Sequence, residues 1–523
     1  MAACDSKKID SNVTGLAIAE EECLKQLPDV TPGSGLGDAA VWYGMEPNTY
    51  SDFGGDLKTV ARAPIEPSRQ NRKGTITDLD ASGGFNADFT KTNLARVLQG
   101  FFFADAREKP KTVPFNAAAI AITGVTSGTK TYAATAGLAV FGKAGYILAA
   151  SGFTNAANNG IKTVVSATAA TVVVNEVLTT EAAPPAGAKL SVVGFQFPSA
   201  DLAFAMTGNI PSIVATATDL TTLGLTIGEW LFIGGDTSVT RFANNVGYGR
   251  IASINATAIV FDDVTFTGQT EAGTGKTIQL FLAGTVIRNE QDPALIKRRS
   301  YNIERTLGNG ANGVQAEYLE GAVANEFTLN FPQADKLNAD LTFVACDNTQ
   351  RSGDEDDEVK PGTRIPSLGE DAFNTSSDVY RIKMAVIDPS SANPAALFGY
   401  VSDGNVAIKN GVTPNKAVGT LGAFDTSAGN FEVSGSVTAY FTTVAAVKAV
   451  RANADVGLST IFAAKNAGFV FDIPLLGLGG GRLAVEKDKP ITVPLTPAGA
   501  MNHNGYTMMY CLFEYLPSVA MPQ

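Results

Sequence analysis

The chain has 523 residues, 45% of them apolar and only 17% charged, with a formal net charge of −12 and a pI near 4.8. Its length suggests about three domains of ordinary size. So acidic a balance disfavours a protein that grips nucleic acid, because phosphate contacts draw on Lys and Arg. Cys4, Cys23, Cys346 and Cys511 stand in no CxxC spacing. A zinc or redox motif therefore lacks support, and the cysteines read as those of a protein made in a reducing compartment.

The first residues, MAACDSKKIDSNV, have no apolar stretch of the secretory kind. Residues 14–26, TGLAIAEEECLKQ, are expected to form a short helix, followed by the Pro/Gly-rich connector DVTPGSGLGD. Residues 40–113 form a block in which each proline disfavours helix at the residue before it, so 47–67 is expected to be extended. A helix follows, with Thr92 as its N-cap and Leu94, Val97, Leu98, Phe101 and Phe102 on one face.

Residues 114–197 and 198–286 lack helical pattern and carry short β-branched runs between Gly, Asn and Asp. They repeat one order. Gly145 and Gly152 match Gly228 and Gly235, and Asn158–Asn159 matches Asn244–Asn245. Residues 165–169 match 254–258. This is expected to be a tandem pair of small β modules, with a turn that differs in length between the copies and so no shared ligand geometry. From 287 onward strand patterns dominate. Phe327, Leu329 and Phe331 alternate with polar residues, as in a half-buried antiparallel strand. TTVAAVKAVRANAD (442–455) is a second helix.

The inventory of chemistry is nearly empty. His503 is the single histidine and lies among Asn and Gly, which suits a turn better than catalysis. EAGTGKT (271–277) lacks the leading glycine of a phosphate loop and precedes a strand, so it reads as a hairpin turn. LLGLGGGRL (475–483) does not fit a dinucleotide fingerprint and is expected to be a flexible loop. GDEDDE (353–358) lacks calcium-loop spacing. The basic clusters 68–74 and 296–300 suit salt bridges between subunits. No run approaches 18 uninterrupted apolar residues, so a membrane span is not expected. No catalytic, cofactor or metal residue is assigned, and the chain is read as a structural protein, not an enzyme.

The order of several pieces carries a resemblance. These are Glu46-Pro47-Asn48, Arg62 with Pro64, Arg69 through Lys73-Gly74, the helix ending at Gly100-Phe101, YNIERTL (301–307), YLEGAVANEFTLNFP (318–332), FVFDIPLL (469–476) and the closing FEYLP. Together they resemble the major tail tube protein of long, non-contractile-tailed bacteriophages.

The resemblance implies a mainly β fold: a tail-tube β-sandwich or barrel domain with one or two helices, split by the two inserted modules. The boundaries expected are 1–113 and 287–523 for the tube domain with its N-terminal arm, 114–197 for module 1 and 198–286 for module 2. It further implies rings, commonly sixfold, that stack into a hollow tube through which DNA passes without specific binding. The modules would lie outside and be dispensable for assembly. Partners would be the protein itself and the tape measure, tail terminator and distal tail proteins. The location would be the virion tail, after synthesis in the bacterial cytoplasm. Trp42, Tyr50, Arg62, Pro64 and Arg69 are the expected contacts between subunits. The alternative is a surface adhesin whose Asn-rich turns bind glycans.

Overall fold

The computed structural model describes residues 11–28, 40–65, 67, 70–310, 313–352 and 360–522. Strands dominate, and among the described residues α-helix is confined to Leu98–Phe102 and Ala445–Arg451. The chain divides into two compact units. The first comprises Met1–Phe103, Ile296–Ala372 and Gly404–Gly435, and the second comprises Ala104–Leu295, Phe373–Asp403 and Ser436–Gln523.

The first unit is organised by the long strand Gly313–Phe331, which serves two sheets. Its first half pairs antiparallel with Tyr301–Gly310 and with Asp347–Ser352. Its second half pairs with Asn338–Ala345 and with the strand ending at Lys409. The change comes at Gly321, where φ is +62° and a Cβ would lie 2.9 Å from Cys346 Sγ. Only glycine fits both the backbone and the space, and it turns the strand from one sheet to the other. The alternation read in the sequence holds: Phe327, Leu329 and Phe331 are buried, while Glu326, Thr328 and Asn330 are not.

The buried side of the second sheet packs on the segment 94–102. Phe101 lies 5.7 Å from Phe327 and 5.4 Å from Phe343, ring centre to ring centre. All five apolar residues assigned to the helical face are buried, although only Leu98–Phe102 is α-helical. Thr92 is not the cap. Its N–H and hydroxyl both donate to Glu370, at 2.7 and 2.9 Å, so a tertiary carboxylate takes its donors and the preceding residues form turns.

Gly15–Glu20 is a strand, which corrects the helix expected over 14–26. It pairs with Tyr301–Gly310 on one edge and Val41–Met45 on the other, and Leu16 and Ile18 are buried. Pairing on both edges outweighs the helical preference of its Ala and Glu residues.

In the second unit twelve strands form one sheet, in the order Leu202–Thr207, Ile210–Ala215, Ala258–Val264, Gly247–Ile254, Trp230–Ile233, Gln279–Leu282, Lys189–Gln196, Tyr146–Ser151, Gly160–Ala167, Thr171–Val174, Thr131–Ala134, Ile122–Thr126. From either end the strands of each half occur in the same order: first, second, fifth, fourth, third, sixth. The two sixth strands pair with each other at the centre, Phe195 opposite Leu280 and Gln196 opposite Gln279. The paired glycines mark equivalent turns. Gly145 and Gly228 have φ of +95° and +90°, and a Cβ would lie 2.7 Å from the Gln196 carbonyl oxygen or 2.1 Å from Tyr506 Oη.

The repeat register is not the one expected. Gly160 and Gly247 are equivalent by strand pairing, so Asn158 corresponds to Asn245. Thr168 corresponds to Asn255. The Thr168 hydroxyl accepts from the N–H of Ala170 and Thr171, and Asn255 Oδ1 accepts from those of Thr257 and Ala258. These are Thr and Asn versions of one turn, and they shift the expected match of 165–169 by two residues.

This sheet is not loosely attached. Ile147, Trp230, Phe232, Tyr248 and Phe281 share one apolar cluster with Ile461, Val470, Met509, Cys511 and Phe513. These last five lie on Val456–Ala464, Ala467–Gly480 and Met509–Phe513, which pair in one sheet. Within that contact Arg250 Nη1 lies 3.1 Å from Asp472 Oδ1, and Nε lies 2.7 Å from Asp262 Oδ1. Arg381 faces Asp263 at 3.0 Å. Removing 114–286 would therefore uncover an apolar sheet face and leave Asp472 without Arg250. Gly477–Gly480 is also strand rather than flexible loop, paired with Leu495–Ala498. A Cβ on Gly479 would meet Thr496 Oγ1 at 2.5 Å, so the glycines there permit close strand contact.

Candidate functional site

The second sheet of the first unit has one dry face and one polar face. Across the polar face runs a ladder of amides. Asn48 Nδ2 donates to Asn86 Oδ1 at 3.1 Å and to Asp88 Oδ1 at 2.6 Å. Asn86 Nδ2 donates to Asn338 Oδ1 at 3.0 Å and Asp340 Oδ1 at 2.7 Å. Asn330 approaches from the other side, donating to Asn338 Oδ1 at 3.0 Å and Asp340 Oδ2 at 2.7 Å. Asn405 stands opposite Asn330 in register. Period-two alternation places these residues on one face of adjacent strands, where cross-strand neighbours meet. Asp340 accepts from both flanks, so the ladder is cross-braced.

The cations here are neutralised: Lys336 is 2.6 Å from Asp88 and Lys409 is 2.7 Å from Glu326. The face is hydrophilic, ordered and neutral to acidic. Such a surface offers phosphate oxygens few charge-assisted donors.

The same sheet continues into an arm. Pro47–Ala61 and Gly74–Asp88 are 15-residue strands paired along their length. At the base, Phe85 and Ala87 are buried. Farther out, Leu57, Val60, Ile65 and Ile76 are exposed by 55, 61, 107 and 55%. The arm base is held by Lys416, which lies 2.7 Å from Asp78 and also bonds Asp80, itself paired with Lys58. Those charge-assisted bonds, led by the one from Lys416, hold both carboxyls below their ordinary range.

Arg62 and Pro64 are exposed on this arm, and Arg69 lies outside the described residues. Tyr50 is half-buried, edge-on to Phe53, with the Arg305 guanidinium 5.3 Å from its ring. Trp42 is wholly buried. Its indole N–H donates to the Pro361 carbonyl at 3.1 Å and its ring meets Tyr318 edge-on, so Trp42 does not share an exposed surface with Arg62 and Pro64. In the basic cluster 296–300, Arg298 pairs with Asp425 and Arg299 with Glu20 inside the unit. The acidic run 353–358 lies outside the described residues.

The duplicated Asn turns hold a duplicated carboxylate. In the first copy Glu181 accepts from the N–H of Thr154 at 3.0 Å and Asn155 at 3.3 Å and from Asn158 Nδ2 at 2.9 Å. In the second, Glu271 accepts from the N–H of Ala243 at 2.6 Å and Asn244 at 3.0 Å and from Asn245 Nδ2 at 3.2 Å. Each Asn also exchanges two bonds with one backbone group, Thr179 or Gln269. The first copy has two more residues within the turn, so sequence spacing hid a shared clamp of two backbone N–H groups and one Asn amide.

Burial opposes ionisation of Glu181, but the bonds from Asn158, Thr154 and Asn155 together outweigh it and hold the carboxyl down at about 2. Lys276, the lysine of EAGTGKT, pairs with Glu271 at 2.9 Å. Neither clamp leaves its asparagine amide pointing at solvent: Asn158 and Asn245 are both fully buried. Both asparagines act as structural latches. His503 is exposed in the turn before Tyr506.

Residues 253–497 match the family model described as Phage tail tube protein. Over that stretch the chain is similar to phage tail tube proteins. The match includes Asn330, Asn338, Asp340 and Asn405 of the ladder, and it begins inside the second repeat. Its residues are not those of the 40–113 block, on which much of the resemblance rested. No curated protein matches the chain. The tail tube family is one of structural virion proteins that assemble with themselves and other tail proteins, and it is not an enzyme class. No helix among the described residues is long and apolar enough to cross a membrane.

Proposed function

We propose that subunits of this tail tube protein form rings, hexameric as the resemblance implies, which stack into a hollow tube for DNA delivery. The observation that carries this reading is the amide ladder. It is an ordered polar face on a sheet whose other face is dry, with its lysines already paired. In this arrangement the ladder lines the channel, where like charge and saturated donors let DNA slide without sticking.

The arm supports the same reading. A paired ribbon with exposed apolar side chains on its outer half is suited to burial against another subunit. The tube domain comprises 1–113 and 287–523, and modules 114–197 and 198–286 lie on the tube exterior, since a bulk of that size within the channel would obstruct it. The tape measure, terminator and distal tail proteins bind the tube interior and its ends.

Negative-stain microscopy of the purified protein tests the proposal. Rings or hollow tubes of constant bore are expected, and a chain in which 57–76 is replaced by a two-residue turn should remain folded and monomeric. A wild-type protein that stays monomeric at all concentrations, or tubes formed equally by the shortened chain, would overturn it.

A further inference from the structure

The first unit contains a cavity of about 190 Å³ whose apolar lining includes Ile18, Val41, Met45 and Val97, with Tyr43 and Tyr301 also on its walls. The Arg96 guanidinium stacks on Tyr43, 4.2 Å from the ring centre, and braces one side. Tyr301 is buried, and its hydroxyl has no hydrogen-bond partner among the described residues. Glu20 and Glu22 line the opening and are exposed. An apolar cavity of roughly 150 Å³ accepts a benzene, so this one accepts a single branched or aromatic side chain.

The arm in the same unit supplies such side chains and a matching charge. Ile65 is the most exposed of its apolar residues. Between 57 and 76 the sequence carries Lys58, Arg62, Arg69, Arg72 and Lys73 against Glu66, a net charge of +4 in a chain of −12. Arg299 is bound to Glu20 at the opening, at 3.0 Å, leaving Glu22 as the outer carboxylate.

Resting on the reading of the protein as a self-assembling tube subunit, we infer that the cavity is the socket for the arm of a second copy. Ile65 enters it, and Arg62 faces Glu22. Apolar fit then supplies the holding energy, and the charge pair sets orientation and suppresses other registers.

The test measures the critical concentration for tube assembly by sedimentation. Ile65→Ser and the socket-filling Ala40→Trp should each raise it about tenfold or more, as expected for loss of one buried aliphatic side chain. Glu22→Lys and Arg62→Glu should each raise it, and the double variant should return to within about threefold of wild type. Both charge sites are exposed, so that cycle holds even if Ala40→Trp misfolds.

Wild-type critical concentrations in Ile65→Ser and Ala40→Trp would overturn the inference, as would a double charge variant no better than its parents. A lower melting temperature with unchanged assembly in Ala40→Trp would also overturn it. A wild-type protein that forms no tubes would instead sink the underlying reading.

Discussion

Replacing Arg250 with Met should destabilise the second unit by about 3–5 kcal/mol at pH 7.5, the usual cost of orphaning a buried charge. Asp472 is fully buried and receives two bonds from Arg250, at 3.1 and 3.2 Å. Methionine keeps most of the packing volume but none of the donors. Burial already raises the Asp472 carboxyl above its ordinary range; Arg250 lowers it, and Asp263 and Asp262 raise it further. Without Arg250 it rises more, so the native state binds a proton that the unfolded chain releases. Stability of the variant must then fall as pH rises above the unfolded carboxylate range, and the deficit must shrink in acid.

A second change makes the attribution sharp. Arg250→Met with Asp472→Leu should recover most of the loss, because no buried charge remains. The assay is denaturant unfolding followed by Trp230 fluorescence in a Trp42→Phe background. The chain has two tryptophans, and Trp230 sits in the same apolar cluster. A deficit under about 1 kcal/mol, or one that does not change between pH 5 and 8, would refute the electrostatic argument and leave only packing.

Asn158→Ala and Asn245→Ala should each cost about 2–4 kcal/mol in thermal unfolding, since each removes a charge-assisted bond and orphans backbone groups. Because the Glu181 carboxyl lies below its unfolded value, its contribution is present above about pH 4.5 and is lost as pH falls toward about 2. Glu181→Gln should flatten that part of an acid titration. Gly228→Ala should destabilise more than a surface Gly→Ala exchange, typically by over 1 kcal/mol, because φ is +90° and the new Cβ would press on Tyr506 Oη; equal melting temperatures would contradict the close approach. Asn330→Lys should leave tubes intact but slow DNA ejection from assembled particles, and an unchanged ejection rate would argue against the ladder as the channel wall.

The β class, the two helices and the duplication were legible because each rests on local chemistry: alternation at 326–331, an apolar face at 94–102, glycines at equivalent turns. What was not legible depended on partners distant in sequence. Leu16 and Ile18 alternate as in a strand, yet the Ala and Glu residues around them favour helix, and only the edges of 41–45 and 301–310 decide between the two. The glycines at 477–480 suggest a loop until Thr496 is placed against them.

The Asn turns show the same limit more sharply. Aligning Asn158–Asn159 with Asn244–Asn245 makes the spacing disagree and argues against a shared geometry. Aligning by the carboxylate 23 or 26 residues downstream, Glu181 or Glu271, makes two backbone N–H bonds and the Asn side-chain bond agree between the copies. The informative signal was the pair formed by each Asn with a later Glu, a relation between two positions that no single turn contains. The conserved feature of the repeat is thus a latch across the roll, and the turn length between its donors was free to drift because the two extra residues in the first copy, Ala156 and Ala157, contribute nothing to the carboxylate.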